Sequence, residues 1–116
     1  LDHVQIAAPR GCEDAARRFY GELLGLEEVA KPEELAKRGG VWFQVGLQQL
    51  HIGVEEDFRP ARKAHPAFGS EELDRVAEHL QQNGCEIVWD DAIPGLRRFY
   101  VSDPWGNRLE ILELKR

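Results

Sequence analysis

The chain opens on an alternation of polar and apolar residues, Asp2-His3-Val4-Gln5-Ile6-Ala7, that runs up to Pro9. A period of two marks a strand, with Val4 and Ile6 on one face and His3 and Gln5 on the other. From Cys12 to Leu24 the period changes. Ala15, Ala16, Phe19, Tyr20, Leu23 and Leu24 recur at helical spacing, and Gly25 stops the run. Three further strands are expected at Leu26 to Ala30, Gly40 to Val45 and, after a turn at Gly46, Gln49 to Val54. The stretch 56–64, with Pro60 and several charged side chains, has no period and reads as a linker. Order then begins again. His65 to Gly69 is a short strand, and Glu71 to Asn83 is a helix with Leu73, Val76, Ala77 and Leu80 on one stripe, Ser70 as N-cap and Gly84 as stop. Strands follow at Cys85 to Trp89, Arg97 to Ser102 and Asn107 to Leu114, the last two joined by Asp103-Pro104-Trp105-Gly106-Asn107.

Both halves therefore read strand, helix, strand, strand, strand. The first strand of each opens on a histidine and the helix of each closes on a glycine, at offsets of 62 residues for His3 and His65 and 59 for Gly25 and Gly84. This is an internal duplication at low sequence identity. It defines an α+β fold of two βαβββ modules, about 1–55 and 65–116, forming a single domain over 1–116. A helix on one face of each half-sheet leaves the other face free, so polar residues at alternate strand positions are expected to line a shared concavity.

Composition narrows the class. With 116 residues, 42% of them hydrophobic and 31% charged, the chain is that of one globular domain. A formal charge of -6 and the lack of a basic stripe argue against nucleic acid as a partner. Apolar runs are far shorter than a bilayer span, and no signal-peptide pattern is visible, so no membrane partner is expected. The chain enters its first strand directly from Leu1 without an initiator methionine, as expected of a processed or trimmed start. Cys12 and Cys85 have neither disulfide-framework nor zinc-knuckle spacing; they are expected to pack as small apolar residues in a reducing cytoplasm.

The candidate chemistry follows from the same alternation. His51 lies opposite Leu50 and Ile52, and Glu110 lies opposite Leu109 and Ile111, so His3, His51, His65 and Glu110 are all expected to face the concavity. A single histidine opening a strand is an ordinary surface or capping residue. Here three of the four histidines fall on such positions, and His79 falls on an exposed helix end. Three imidazoles and a carboxylate suit a divalent ion such as zinc, nickel, manganese or ferrous iron. The same face takes Gln5, Arg98, Tyr100 and Arg108 as candidate substrate-binding residues, with Arg98 the foremost candidate for an anionic group. Trp42, Trp89 and Trp105 are candidates for the pocket wall.

Several motifs carry a resemblance along the whole chain: Leu1-Asp2-His3-Val4; Phe19-Tyr20 through Leu24-Gly25-Leu26; His65-Pro66-Ala67-Phe68 leading to Glu72-Leu73-Asp74; and Phe99-Tyr100 with Asp103-Pro104-Trp105-Gly106-Asn107 before Leu109-Glu110. In these the sequence resembles the vicinal oxygen chelate superfamily of glyoxalase I, fosfomycin- and bleomycin-resistance proteins and extradiol dioxygenases. The resemblance implies an incomplete barrel around a metal, commonly in a homodimer, sometimes with each site built from two chains. It carries the metal ligands onto His3, His65 and Glu110, and puts His51 where glyoxalase I has a glutamate ligand. Glu110 and Tyr100 become the candidate catalytic groups. The implied function is metal-dependent chemistry on a small oxygenated substrate, by Lewis-acid stabilisation of an oxyanion or enolate in a lyase, transferase or dioxygenase reaction. The alternative is a non-catalytic drug- or metabolite-binding protein of the bleomycin-resistance type.

Overall fold

The computed structural model describes residues 1–115. The chain divides into two compact units, Leu1–Pro60 and Ala61–Arg116. The first contains β1 (His3–Ala8), α1 (Glu13–Ala16) passing into a π-helical segment (Arg17–Leu23), β2 (Glu27–Val29), α2 (Glu33–Ala36), β3 (Val41–Val45) and β4 (Gln48–Val54). The second contains β5 (Ala67–Ser70), α3 (Leu73–Gln82), β6 (Ile87–Asp90), β7 (Arg98–Ser102) and β8 (Arg108–Glu113). Their sheets have the same topology, β1-β4-β3-β2 and β5-β8-β7-β6, with the outer pairs β1/β4 and β5/β8 parallel and the rest antiparallel. These are the two βαβββ modules expected from the repeat.

Each unit buries its own apolar face. Phe19, Tyr20, Phe43, Leu50 and Ile52 form the first core, where Tyr20 meets Phe19 edge-on at 4.9 Å and Phe43 at 5.9 Å. Leu73, Ala77, Leu80, Phe99, Val101, Leu109 and Ile111 form the second. Burying each large apolar side chain contributes roughly 1.5 to 3 kcal/mol, enough for these stripes to dictate which face of each sheet the helix covers. Cys12 is buried and Cys85 half-buried, neither of them in a disulfide, and burial pushes the Cys12 thiol up from its ordinary value. Among the described residues no helix is long and apolar enough to cross a membrane.

Several local expectations change. The first helix is α-helical only over Glu13–Ala16; beyond that Leu24 N–H donates to the Phe19 carbonyl five residues back, at 3.0 Å. This widened turn brings Phe19, Tyr20 and Leu23 together onto the buried side. Gly25, at φ +76°, reverses the chain in a region a side chain rarely adopts. The helix α2, unforeseen in the sequence, starts after Pro32 with Glu33 and Glu34 in its first turn. Ser70 does not cap α3. It ends β5, its Oγ accepts the Glu72 N–H at 3.1 Å, and Glu72 takes the N-cap position without a side-chain bond to the helix backbone. His65 precedes its strand rather than opening it, because Pro66 has no N–H for the ladder; its carbonyl accepts the Glu110 N–H instead. Cys85 likewise stays with the end of α3, donating to the Leu80 carbonyl, so β6 begins only at Ile87. The other strands differ from expectation by a residue or so at an end.

Candidate functional site

In the first unit, the register aligns Gln5, His51 and Trp42 across three strands, and His3, Gln49 and Gln44 beside them. All six lie on the sheet face opposite the apolar core, as the alternation required. Their rings form a stack. Trp42 lies parallel to His51, with centroids 3.8 Å apart and planes within 1°, and His3 covers the other face of His51 at 4.2 Å and 16°. His3 Nδ1–H donates to Asp2 Oδ2 at 2.8 Å, leaving Nε2 as the donor atom of an exposed ring. His51 is buried; its Nε2–H donates to Gln49 Oε1 at 2.9 Å, and Gln49 Nε2 donates to Gln44 Oε1 at 3.4 Å. Gln44 in turn donates to the Gly46 and Gln48 carbonyls, so the polar chain is anchored in the β3–β4 turn. Burial first, and the neighbouring His3 second, push the His51 pKa below its ordinary value, favouring the neutral ring. Gln5 folds over Gly53, where a Cβ would meet its amide at 2.8 Å.

The second unit presents a charged lattice on the equivalent face. Glu110 pairs with Tyr100 across β8 and β7, and Leu112, Arg98 and Asp90 align beside them. Glu110, only 6% exposed, is held on both oxygens: Oε1 lies 3.0 Å from His65 Nε2, and Oε2 accepts from Arg98 Nη1 at 3.2 Å. His65 Nδ1–H donates to the Lys63 carbonyl at 2.8 Å, which fixes the ring and directs Nε2 at the carboxylate. Arg98 Nη2 donates to Asp90 Oδ2 at 3.3 Å, and Asp90 Oδ1 accepts the Ala92 N–H at 2.7 Å. Tyr100 has His65 at its edge, 5.5 Å away, and the Arg108 guanidinium 3.9 Å above its ring.

A turn explains why His65 reaches Glu110. Asp103 is buried and accepts from Trp105 N–H, Asn107 N–H and Asn107 Nδ2 at 3.1, 2.8 and 2.9 Å. Asn107 Oδ1 accepts the Ala61 N–H at 3.0 Å, and the Ala61 carbonyl accepts the Arg108 N–H at 3.0 Å. The segment leading into His65 is thereby fastened beside the start of β8. Trp105 sits in this turn, Trp89 packs edge-on against Phe99 at 5.2 Å on the opposite face, and only Trp42 joins a ring stack with a candidate ligand.

The four candidate metal ligands are thus assembled as pairs, His3 with His51 and His65 with Glu110. Among the described residues no group of three or more His, Cys, Asp or Glu is gathered closely enough to hold an ion. The donor chemistry nevertheless fits a divalent metal at His65 and Glu110. Two ligands at about 2.1 Å from one ion stand about 3.0 to 3.4 Å apart for angles between octahedral and tetrahedral. The His65 Nε2 to Glu110 Oε1 separation of 3.0 Å is such a bite. Sequence reasoning missed the supporting groups Asp2, Gln49, Asp90 and the Lys63 carbonyl. Only Asp90 left a signal, as a carboxylate at a strand end opposite an arginine.

Two sheets of one topology, each with its chemistry on the face away from its helix, define a duplicated-module class. A family model described as the Glyoxalase/Bleomycin resistance protein/Dioxygenase superfamily matches residues 1–111, and the chain belongs to that superfamily. Among solved structures it is similar to a Bacillus anthracis protein described as a glyoxalase family member, at 56% identity and a TM-score of 0.96, over 99% of this chain and 94% of that one. A glyoxalase family protein from Enterococcus faecalis is 27% identical, with a TM-score of 0.75 over 97% of this chain and 96% of that one. Lactoylglutathione lyase from Agrobacterium tumefaciens, 23% identical with a TM-score of 0.76 over 97% and 92% of the two chains, shares the fold. No curated protein matches the sequence.

Proposed function

We propose that the protein is a metal-dependent enzyme that binds a small oxygenated substrate, with His65 and Glu110 as the kernel of a metal site on the second unit and His3 and His51 as the candidate donors of the first. The observation that carries this reading is the 3.0 Å bite of His65 Nε2 and Glu110 Oε1, with the other histidine nitrogen tied to a carbonyl. When bound, a divalent ion of the zinc, nickel, manganese or ferrous type supplies Lewis acidity that stabilises an enolate, alkoxide or other oxyanion. The protein's own groups do the rest. Arg98 holds Glu110 Oε2 and so fixes the direction in which Oε1 faces. Tyr100, between His65 and Arg108, offers its phenolic hydroxyl to a substrate oxygen.

The test is the metal content of protein purified without an affinity tag. About one equivalent per chain is expected, falling more than about tenfold in His65→Ala and Glu110→Gln. A second reading, sequestration of a flat drug or metabolite, draws on the Trp42–His51–His3 ring stack. A metal-free protein that retains a planar aromatic ligand supports that reading instead. Under either reading we place the protein in the cytoplasm as a homodimer, since β1, β2, β5 and β6 are edge strands of their sheets and association covers such edges. Sedimentation at micromolar concentration should give twice the chain mass. A one-chain mass unchanged by metal removes the dimer. Metal binding recovered on mixing His3→Ala with Glu110→Ala chains assigns the donors to both copies.

A further inference from the structure

We propose that Arg108 recognises an oxyanion, carboxylate or phosphoryl, carried by the same small molecule that the metal site engages. The metal clause of this proposal rests on the function proposed above; the anion site itself rests on the second unit alone.

The two arginines on this face are in opposite states. Arg98 has one Nη on Glu110 and the other on Asp90 and its side chain is only 15% exposed; its Nε is buried without a hydrogen-bond partner, so its charge and both terminal nitrogens are already engaged within the protein. Arg108 is half-buried, and its guanidinium lies 3.9 Å above the Tyr100 ring. Among the described residues no carboxylate pairs with it. Stacking on an aromatic face engages the flat side of a guanidinium and leaves the N–H donors around its edge free, already oriented for a bidentate oxyanion.

The surroundings favour an anion. The Ala61 bridges to Asn107 and Arg108 bring the following residues, Arg62 and Lys63, to the start of β8, both exposed and, among the described residues, without a carboxylate partner. Among the described residues three cations therefore stand without partner carboxylates at one end of a unit whose chain carries a net charge of -6. Arg108 and Glu110 lie two residues apart on one face of β8, about 7 Å along the strand. A compact substrate with chelating oxygens at one end and an oxyanion a few bonds away can reach both.

Two arms test this. In metal-free protein, inorganic phosphate and acetate are titrated while the Arg108 Nε–H resonance, assigned by its loss in Arg108→Leu, is followed. Either anion should shift it while acetamide does not, and the larger shift says which oxyanion is preferred. No shift with either anion overturns the proposal whether or not the protein binds metal. In zinc-loaded protein, calorimetry compares two hydroxamates that chelate through vicinal oxygens, one with a neutral butyryl tail and one with a succinyl carboxylate tail. The succinyl compound should bind at least tenfold more tightly, and Arg108→Leu should abolish that preference. A preference that survives in Arg108→Leu overturns the assignment. Failure of both hydroxamates alongside anion-dependent shifts in the first arm overturns the metal reading alone.

Discussion

The two units share one backbone plan and present different chemistry on it. On the first, the polar face is built of stacked rings and amides: an indole stacked on an imidazole, that imidazole on another, and a relay of glutamine amides ending in the carbonyls of a turn. On the second, the same face is a lattice of ionisable groups in which Glu110 joins His65 to Arg98 and Arg98 joins Glu110 to Asp90. Both arrangements fix a histidine, the first by covering its ring faces and the second by tying one nitrogen to a carbonyl. A duplicated scaffold thus keeps its apolar face, where the fold is decided, and lets the other diverge. What holds a side chain still on one half differs in energy and in pH and salt response from what holds it on the other.

That difference predicts a ranked set of effects. Glu110→Ala removes a buried carboxylate that both His65 and Arg98 meet, and we expect a loss of about 3 kcal/mol in urea unfolding, since deleting one member of a buried charge pair leaves its partners uncompensated. Asp103→Ala removes the acceptor of three hydrogen bonds that position the start of β8, at about 2 kcal/mol. His51→Ala removes two ring contacts from the stacked face and should cost about 1 to 1.5 kcal/mol in the same measurement. A loss at His51 as large as that at Glu110 would erase the contrast between the two faces.

The smallest effect concerns acid. The Gly40 N–H, 2.6 Å from Glu13 Oε2, is the main cause holding the Glu13 carboxyl below its ordinary value of 4.5. A depressed folded pKa contributes stability that is complete above pH 4.5 and is lost as pH falls through the depressed value; Glu13→Gln should flatten that part of the acid profile. In the second unit Asp74 is lowered chiefly by its two hydrogen bonds from the exposed Arg97 guanidinium. Raising ionic strength should weaken the Asp74 arm, measured with Asp74→Asn, and leave the Glu13 arm nearly unchanged, because only the former is an exposed ion pair.

The alternation in the sequence was sufficient to assign faces. Gln5, His51, Tyr100 and Glu110 lie where a period of two puts them, because a strand with one buried face cannot slip by a residue without exposing its core. Partners across strands were not legible. That Asp90 meets Arg98 depends on the length and path of the loop between β6 and β7, and that Trp42 covers His51 depends on the register set by the Gly46 turn. The π-helical segment was hidden because its apolar spacing is compatible with an α-helix, and the role of Ser70 because an N-cap and a strand end share the same residue preference.

X-ray absorption at the zinc edge of metal-loaded protein tests the central claim most directly. We expect nitrogen and oxygen neighbours at about 2.0 to 2.2 Å, with imidazole outer-shell scattering that diminishes in His65→Ala. A shell of oxygen alone, indistinguishable between the natural protein and His65→Ala, would contradict the assignment of His65 and Glu110 as the kernel of a metal site.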